Sequence, residues 1–298
     1  MKKCSTFKDV IAGRNIIKGQ LYTDDGLVVK FDQKGARITS IEWKGQQIAK
    51  DGYIAGRCAN RIANATFELN GKTYHVDKNH GKHHLHGGSK GFREINWTLV
   101  TQTADQITYS LHSPDGDMGY PGNLDVSVTY TLKQSGELSI EYRAKSDADT
   151  LLNLINHLYM SLNGDSSASG HILWIDADYY TERDQELIPS GKLLPVEGSK
   201  FDFKKPKTLV PSDNYDDNYV LKGKGYRKAA SLSGTASGIS VDVYTDRPGL
   251  QLYNTNSHIC LETQLFPDAI HHDNFISPIL KAGEEFYSKT SYCFNRKK

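Results

Sequence analysis

Apolar and polar residues alternate with a period of two through much of the chain. Residues 124–132 and 138–144 place large apolar side chains at every second position, and Ser135-Gly136 lies between them. Because successive side chains of a strand point to opposite faces, each segment predicts a half-buried strand, and the pair predicts a β-hairpin. We find no convincing stretch with the i, i+3, i+4, i+7 spacing of an amphipathic helix.

Further segments extend this pattern. Residues 67–69 and 74–76 flank Asn70-Gly71, a pair that favours the type I′ turn of a tight hairpin. The same alternation predicts strands over residues 239–243, 250–253 and 259–264. Many short strands joined by polar turns favour an all-β sandwich.

The chain shows no sign of a domain boundary. No Pro/Ser-rich linker, change in composition or internal repeat divides it, so we expect residues 1–298 to form a single domain. The segment 198–228 is polar and irregular, and we interpret it as a long loop that crosses one face of the sandwich.

Composition excludes several classes of protein. The 36 Lys and Arg residues nearly balance the 35 Asp and Glu residues, and the formal net charge is +1. Bulk charge therefore does not hold this protein to nucleic acid or anionic lipid. No apolar run is long enough to span a membrane, and the N-terminus lacks the apolar region of a signal peptide.

The cysteines point to a reducing compartment. They are too far apart for a zinc or redox motif, and we expect reduced thiols in the cytoplasm: Cys4, Cys58, Cys260 and Cys293.

Two clusters of polar residues lie among glycines and small residues. In residues 56–61, Arg57 and Arg61 flank Asn60, which suggests either a solvated surface loop or a set of donors for a hydroxyl-rich or anionic ligand. In residues 80–88, four histidines precede a glycine pair that permits a sharp turn or a close approach to a ligand: His80, His83, His84 and His86. These histidines could bind a metal, take part in catalysis or ligand binding, or lie on the surface.

Two predicted strands carry polar residues of interest. Leu152, Leu154, Leu158 and Met160 share one face, and the opposite face carries Asn153, His157 and Tyr159. This polar face is either a binding wall or the site of a structural histidine. Glu262 lies in the middle of a strand that reads as buried, where a carboxylate is costly unless it is paired or functional. Asp216 lies in an acidic loop, where such residues are usually solvated.

Seven motifs, in one order along the chain, resemble those of the aldose 1-epimerases, the galactose mutarotases. The resemblance as a whole covers about residues 26 to 290. Its seven motifs are GRCANRI (56–62), LHGG with GF and W (85–97), SPDG with GYPG (113–122), NLINHLY (153–159), YDDNY (215–219), PGLQLY (248–253) and CLETQ with PDA (260–269). The resemblance implies a large antiparallel β-sandwich of the galactose mutarotase-like type, with a sugar in a cleft on one sheet.

The resemblance also implies roles for individual residues. Glu262 would take the proton of the C1 hydroxyl, His157 would protonate the ring oxygen, and His86 would orient the sugar. Four residues would hold sugar hydroxyls: Asn60, Arg61, Asp216 and Gln251. At neutral pH a histidine near its reference pKa of about 6.5 can donate, and a glutamate near about 4.3 can accept. We expect a neutral aldohexose substrate such as galactose or glucose, no metal or organic cofactor, and a monomer or weak homodimer.

Some positions differ from the family pattern. Asp217, Leu158, Met160 and His84 replace more familiar residues, and we expect them near the pocket, where they would affect sugar preference. Because the resemblance implies no metal, we expect His80, His83 and His84 to be loop histidines at the rim of the cleft. Tyr159, Tyr215 and Tyr253 lie within or beside the sugar-binding segments.

Three other functions remain open. A glycosidase would use Glu262 and Asp216 as paired carboxylates. An enzyme for hexose 6-phosphates would need a basic pocket, for which Arg57, Arg61 and Lys90 are the candidates. A sugar-binding module would keep the cleft without catalysis.

Overall fold

The computed structural model describes residues 10–11, 14–15 and 19–296, most of which belong to strands and their turns. Cys4 lies outside the described residues. The strands of the first part of the chain are β1 (Val10–Ile11), β2 (Arg14–Asn15), β3 (Gln20–Tyr22), β4 (Leu27–Asp32), β5 (Arg37–Trp43), β6 (Gln46–Ala55), β7 (Arg61–Ile62), β8 (Thr66–Leu69), β9 (Lys72–His75), β10 (His84–Leu85), β11 (Thr98–Gln102), β12 (Gln106–Ser113) and β13 (Leu124–Leu132).

The second part continues in the same way. Its strands are β14 (Glu137–Ser146), β15 (Thr150–Leu151), β16 (Ile155–Met160), β17 (His171–Ile175), β18 (Ala177–Arg183), β19 (Pro189–Pro195), β20 (Lys207–Thr208), β21 (Asp216–Leu221), β22 (Arg227–Gly234), β23 (Ile239–Thr245), β24 (Gly249–Asn254), β25 (Ile259–Gln264), β26 (Ile279–Leu280) and β27 (Glu285–Arg296). The helices of the described residues are short 3-10 turns at Ala63–Ala65, Phe92–Glu94, Asp117–Gly119, Pro211–Asp213 and Ala269–His271. None of them is long and apolar enough to cross a membrane.

Two antiparallel sheets form the sandwich. A nine-stranded sheet has the order β11-β12-β13-β14-β27-β23-β22-β17-β20, and a ten-stranded sheet has the order β19-β18-β21-β24-β25-β16-β6-β5-β4-β3. The main hydrophobic core joins inward-facing residues of both, such as Val128 and Ile140 from the first sheet and Leu252 and Leu261 from the second. This arrangement confirms the predicted large antiparallel β-sandwich.

The predicted hairpins and strand faces are confirmed. β13 and β14 pair along their length and meet at Leu132 and Leu138. β8 and β9 are joined by Asn70 and Gly71, which both have positive φ as a type I′ turn requires. The four predicted apolar residues before and within β16 all enter the core: Leu152, Leu154, Leu158 and Met160.

The prediction for residues 198–228 is wrong in one respect. This segment contains β20 and also β21, an interior strand of the ten-stranded sheet between β18 and β24. Its first half is irregular as expected. The sequence did not predict β21 because Asp217 and Asn218 are polar. Both are buried and accept hydrogen bonds, Asp217 from Arg183 on β18 and Asn218 from Gln264 on β25. Asp216 therefore begins a strand and does not lie in a solvated loop.

Candidate active site

A cavity of about 320 Å³ opens on the face of the ten-stranded sheet that points away from the main core. This volume lies at the lower end of the range for small-molecule sites. Five adjacent strands, β6, β16, β25, β24 and β21, supply its floor, and the loops around β7 and β10 supply its wall. The lining includes all seven predicted site residues: Glu262, His157, His86, Asn60, Arg61, Asp216 and Gln251.

Glu262 and His157 meet on the cavity floor. Ile259 and Leu261 of β25 enter the core, so the alternation of the strand turns Glu262 to the cavity. One of its carboxylate oxygens, Oε1, lies 3.2 Å from Nε2 of His157 on β16, and both side chains are buried. The other oxygen, Oε2, is buried and has no hydrogen-bond partner among the described residues.

Burial shifts both groups towards their neutral forms. Desolvation and the negative charge of Asp216 raise the pKa of Glu262 well above its usual value. Desolvation lowers the pKa of His157 to about 4. The expectation that each would keep its reference pKa is therefore wrong. Both shifts disfavour the ion pair of a protonated His157 and an ionised Glu262, so the site favours the neutral form of each group.

His86 enters the cavity from the loop after β10. Its Nδ1 accepts a hydrogen bond of 3.1 Å from the backbone N–H of Asn60. A neutral imidazole that accepts at Nδ1 carries its hydrogen on Nε2, so the ring presents a donor at that atom. Burial and the positive charges around it hold the pKa of His86 well below its usual value. His86 is thus a neutral hydrogen-bond donor.

A metal ion does not suit this site. By type and spacing, the donor atoms of His86, His157 and Glu262 could surround an ion, since they lie within 4.8 Å of one another. A metal-bound histidine normally donates its other N–H to a partner. The Nδ1 of His86 instead accepts from Asn60, which opposes metal binding at Nε2.

A hydrogen-bonded network fixes the other polar side chains. Asp216 receives a hydrogen bond of 2.7 Å from Gln251 and one of 3.2 Å from Arg61. Behind them, the amide nitrogen of Gln264 donates to Gln251 and to Asn218. Asp216 is therefore ion-paired and presents oxygens that can accept hydrogen bonds from hydroxyls. This pairing argues against its use as the second carboxylate of a glycosidase.

Comparison with known proteins identifies the family of the chain. The sequence profile of the family described as aldose 1-epimerase matches residues 20–293. The chain belongs to the aldose 1-epimerase family. It is 39% identical to the galactose mutarotase of Homo sapiens, with 98% of each chain covered. It is 37% identical to the aldose 1-epimerase of Haemophilus influenzae, over 82% of this chain and 80% of that one.

A solved structure agrees as well. The GalM/aldose epimerase homologue from C. elegans superposes with a TM-score of 0.89 at 26% identity, over 94% of this chain and 98% of that one. The named relatives support an isomerase that interconverts the anomers of aldoses.

The remaining histidines of the family's LHGG region have separate places. His80 lines the cavity, as expected of a residue at the rim. His83 and His84 do not lie at the rim, because both are buried and neither lines the cavity. His83 accepts a hydrogen bond from the backbone N–H of Asn64, and His84 contacts the hydroxyl of Tyr120 at 2.6 Å. These two histidines support the loop that carries His86.

Arg57 and Lys90 are not part of the cavity. Arg57 is 1% exposed, and its guanidinium donates to the side chain and carbonyl of Ser113 and to the carbonyls of Pro114 and Pro121. Lys90 is exposed and does not line the site. Of the three cations considered for a phosphate pocket, only Arg61 lines the cavity.

The residues that differ from the family pattern also lie elsewhere. Leu158 and Met160 belong to the core, His84 lies behind the loop, and Asp217 forms an ion pair of 2.7 Å with Arg183. None of these four lines the cavity. A sugar in the cavity would therefore not contact any of these four residues directly. Tyr215 is likewise a core residue, whereas Tyr159 and Tyr253 line the cavity.

Sequence reasoning missed two lining residues, Tyr53 and Arg93. Tyr53 lies directly opposite His157 in the pairing of β6 with β16. Arg93 follows the Gly91-Phe92 motif in a 3-10 turn. Only the pairing of β6 with β16 could have identified Tyr53, because more than one hundred residues separate the two segments.

Proposed function

We propose that this protein interconverts the α and β anomers of free aldohexoses such as galactose and glucose by general acid and base catalysis. One observation carries the proposal: Glu262 and His157 lie 3.2 Å apart on the cavity floor. The reaction needs a base at the C1 hydroxyl and an acid at the ring oxygen. These two oxygens are bonded to the same carbon, so the two groups must lie close together.

The proposed roles follow from the chemistry of ring opening. Glu262 takes the proton from the C1 hydroxyl, His157 gives a proton to the ring oxygen, and the bond from C1 to the ring oxygen breaks. The open aldehyde rotates about the bond between C1 and C2. It then closes from its other face, with Glu262 now the acid and His157 the base. Each such group contributes about 10²–10⁴-fold in rate.

The opposed pKa shifts support this reversal of roles. Before ring opening the proton of the pair is on His157, and afterwards a proton is on Glu262. Since the pKa of Glu262 is raised and that of His157 is lowered, transfer of the proton from His157 to Glu262 is more favourable here than between the same groups in water.

The surrounding residues have binding roles in this proposal. The Nε2–H of His86 donates to the sugar and stabilises charge near the ring oxygen. Asn60, Arg61, Asp216 and Gln251 hold hydroxyl groups. No metal or organic cofactor takes part, and enzyme dialysed against a chelator should keep its full rate. We further propose a single-domain cytoplasmic protein, in keeping with the one core shared by both sheets and the free Cys58, Cys260 and Cys293.

Mutarotation of α-galactose followed by polarimetry tests the function. The wild-type protein should speed equilibration beyond the rate in buffer, and Glu262→Gln and His157→Asn should each lower kcat by orders of magnitude. Glu197→Gln and His112→Asn are matched controls, because both residues are exposed and lie outside the cavity. A wild-type rate equal to that of buffer would refute the proposed function. Wild-type kcat in Glu262→Gln and His157→Asn would refute the assigned roles.

Arg93 favours a second candidate substrate, an aldose with an anionic group. Arg93 lines the cavity and lies 3.5 Å from the carboxylate of Glu94. Glu94 makes a shorter ion pair of 2.9 Å with Lys34, so the charge of Arg93 is only partly compensated. A carboxylate or phosphate on the sugar could pair with this guanidinium. Galacturonic acid and glucose 6-phosphate should then have a higher kcat/KM than their neutral parents. Arg93→Gln should remove that preference, and equal values in the wild type would exclude this candidate.

A further inference from the structure

The His157 imidazole is packed among four aromatic rings. Tyr53 and Tyr159 stack on it nearly parallel, with centroid distances of 5.0 and 4.8 Å and interplanar angles of 26° and 22°. His86 and Tyr253 meet it at 74°, with centroid distances of 5.4 and 6.0 Å. These contacts restrict rotation of the imidazole about its outer side-chain torsion, which by itself is broad in histidine.

Hydrogen bonds do little to orient this ring. Catalytic histidines are commonly oriented by a third group bound to the nitrogen that does no chemistry. In the described part of the chain, Nδ1 of His157 makes no hydrogen bond to another residue. Nε2 contacts Glu262, but a sugar that bonds to both groups would have to come between them. When the sugar is bound, the rings of Tyr53 and Tyr159 are therefore the contacts that hold the imidazole of His157 in place.

The two stacking tyrosines are themselves restrained. The guanidinium groups of Arg37 and Arg93 lie 5.5 and 5.8 Å from the Tyr53 ring centroid, within the range of cation–π contact. The ring of His258 packs at 84° against that of Tyr159. Tyr53 is also fixed by its place opposite His157 in the sheet. Both rings can therefore act as a rigid support.

We propose that Tyr53 and Tyr159 are positioning residues that keep the His157 imidazole aimed at the ring oxygen of the sugar. The inference rests on the proposed role of His157 as the acid. A small misplacement of a reacting group can lower the rate by about 10²-fold. Loss of either ring should therefore reduce kcat.

The experiment compares variants that keep the ring with variants that remove it. Tyr53→Met and Tyr159→Met fill similar space with a flexible chain, whereas Tyr53→Phe and Tyr159→Phe keep the stack. Each Met variant should lose about 10–100-fold in kcat, with a much smaller change in KM, and each Phe variant should recover most of that loss. Tyr179→Met is the control, because Tyr179 is exposed on β18 and lies outside the cavity. Thermal melting identifies any variant that does not fold, and for such a position the Leu variant is measured in its place.

Three outcomes would overturn the inference. Wild-type kcat in both Met variants would show that the rings do not position His157. A rise in KM with unchanged kcat would make the tyrosines a surface on which the sugar binds. Phe variants as slow as the Met variants would assign the effect to the hydroxyl groups. The parallel measurement on His157→Asn separates these results from a failure of the proposed function, since an active His157→Asn would refute the acid role itself.

Discussion

His157 and Glu262 lie in direct contact, with 3.2 Å between Nε2 and Oε1, in a place where burial disfavours a charge on either. The two groups form one acid–base pair that carries a single proton in its working state. If the pair bound a second proton, neither group could act as the base. If it lost its single proton, neither group could act as the acid. Activity therefore depends on how many protons the pair binds.

The pH profile of kcat/KM tests this description. A second proton enters the pair when His157 is protonated beside a neutral Glu262. Since burial lowers the pKa of His157 to about 4, this happens only well below the ordinary histidine value of about 6.5. The pH profile of kcat/KM reports the titration of groups in the free enzyme. Its acid limb should accordingly lie below pH 6.5. The rate in buffer must be subtracted at each pH, and circular dichroism should show an intact fold. An acid limb at pH 6.5 or above would contradict the prediction.

Gln264 should control sugar binding without touching the sugar. It is fully buried, donates to Gln251 and Asn218, and accepts a hydrogen bond of 3.4 Å from Asn60. Gln264→Leu should raise KM because Gln251 and Asn60 lose their support. It should also lower the free energy of unfolding by about 1–3 kcal/mol, the cost of an unsatisfied buried polar group.

Steady-state kinetics and urea denaturation measure the two effects of Gln264→Leu. Gln106→Leu is a suitable control, since Gln106 is half-buried in the other sheet, its side chain donates to Thr131, and it does not line the cavity. Unchanged KM in Gln264→Leu would show that the network does not position the binding residues.

Gly87 should be essential for the position of His86. It has a positive φ, and a Cβ at this position would lie 1.6 Å from the carbonyl oxygen of Gly56. Gly87→Ala must therefore displace the loop that carries His86, and both stability and kcat should fall. Gly283→Ala separates the strain of a positive φ from the collision with Gly56, because Gly283 also has a positive φ but has open space around it.

The comparison of Gly87→Ala with Gly283→Ala is made by thermal melting and polarimetry. Gly283→Ala should show only backbone strain, about 1–2 kcal/mol, with full activity. Equal behaviour of the two variants would mean that the contact with Gly56 has no part in holding the loop.

Arg57 should support the fold and take no part in catalysis. Its buried guanidinium donates to five acceptors, and burial lowers its pKa. Arg57→Lys cannot reproduce this planar set of donors. Since each acceptor left unpaired costs about 1–3 kcal/mol, the free energy of unfolding should fall by about 3 kcal/mol or more. Arg143→Lys, at an exposed position, should change little.

Denaturation curves and kcat at a temperature where Arg57→Lys remains folded distinguish these roles. A stable Arg57→Lys protein with low kcat would show that Arg57 acts in the reaction.

The alternation of side chains allowed much of the fold to be predicted. The hairpins at residues 124–144 and 67–76 have contacts close in sequence, so their register follows from local pattern and turn residues. The orientation of Glu262 is equally local, because Ile259 and Leu261 have to face the core. The strand β21 escaped prediction, because its polar residues are compensated by partners such as Arg183 and Gln264 that lie far away in the chain.

Within the site, the seven candidate residues were predicted from the sequence alone, through motifs that resemble one family. It also determined which strand faces carry them. The tertiary structure decided that Glu262 touches His157, that Tyr53 and Tyr159 stack on it, and that Arg57 lies behind the cavity. It also decided the direction of the pKa shifts, because desolvation depends on the atoms that surround a group. Strand alternation acts between neighbours in the chain, whereas burial and the contact of Glu262 with His157 depend on segments that are far apart in the sequence.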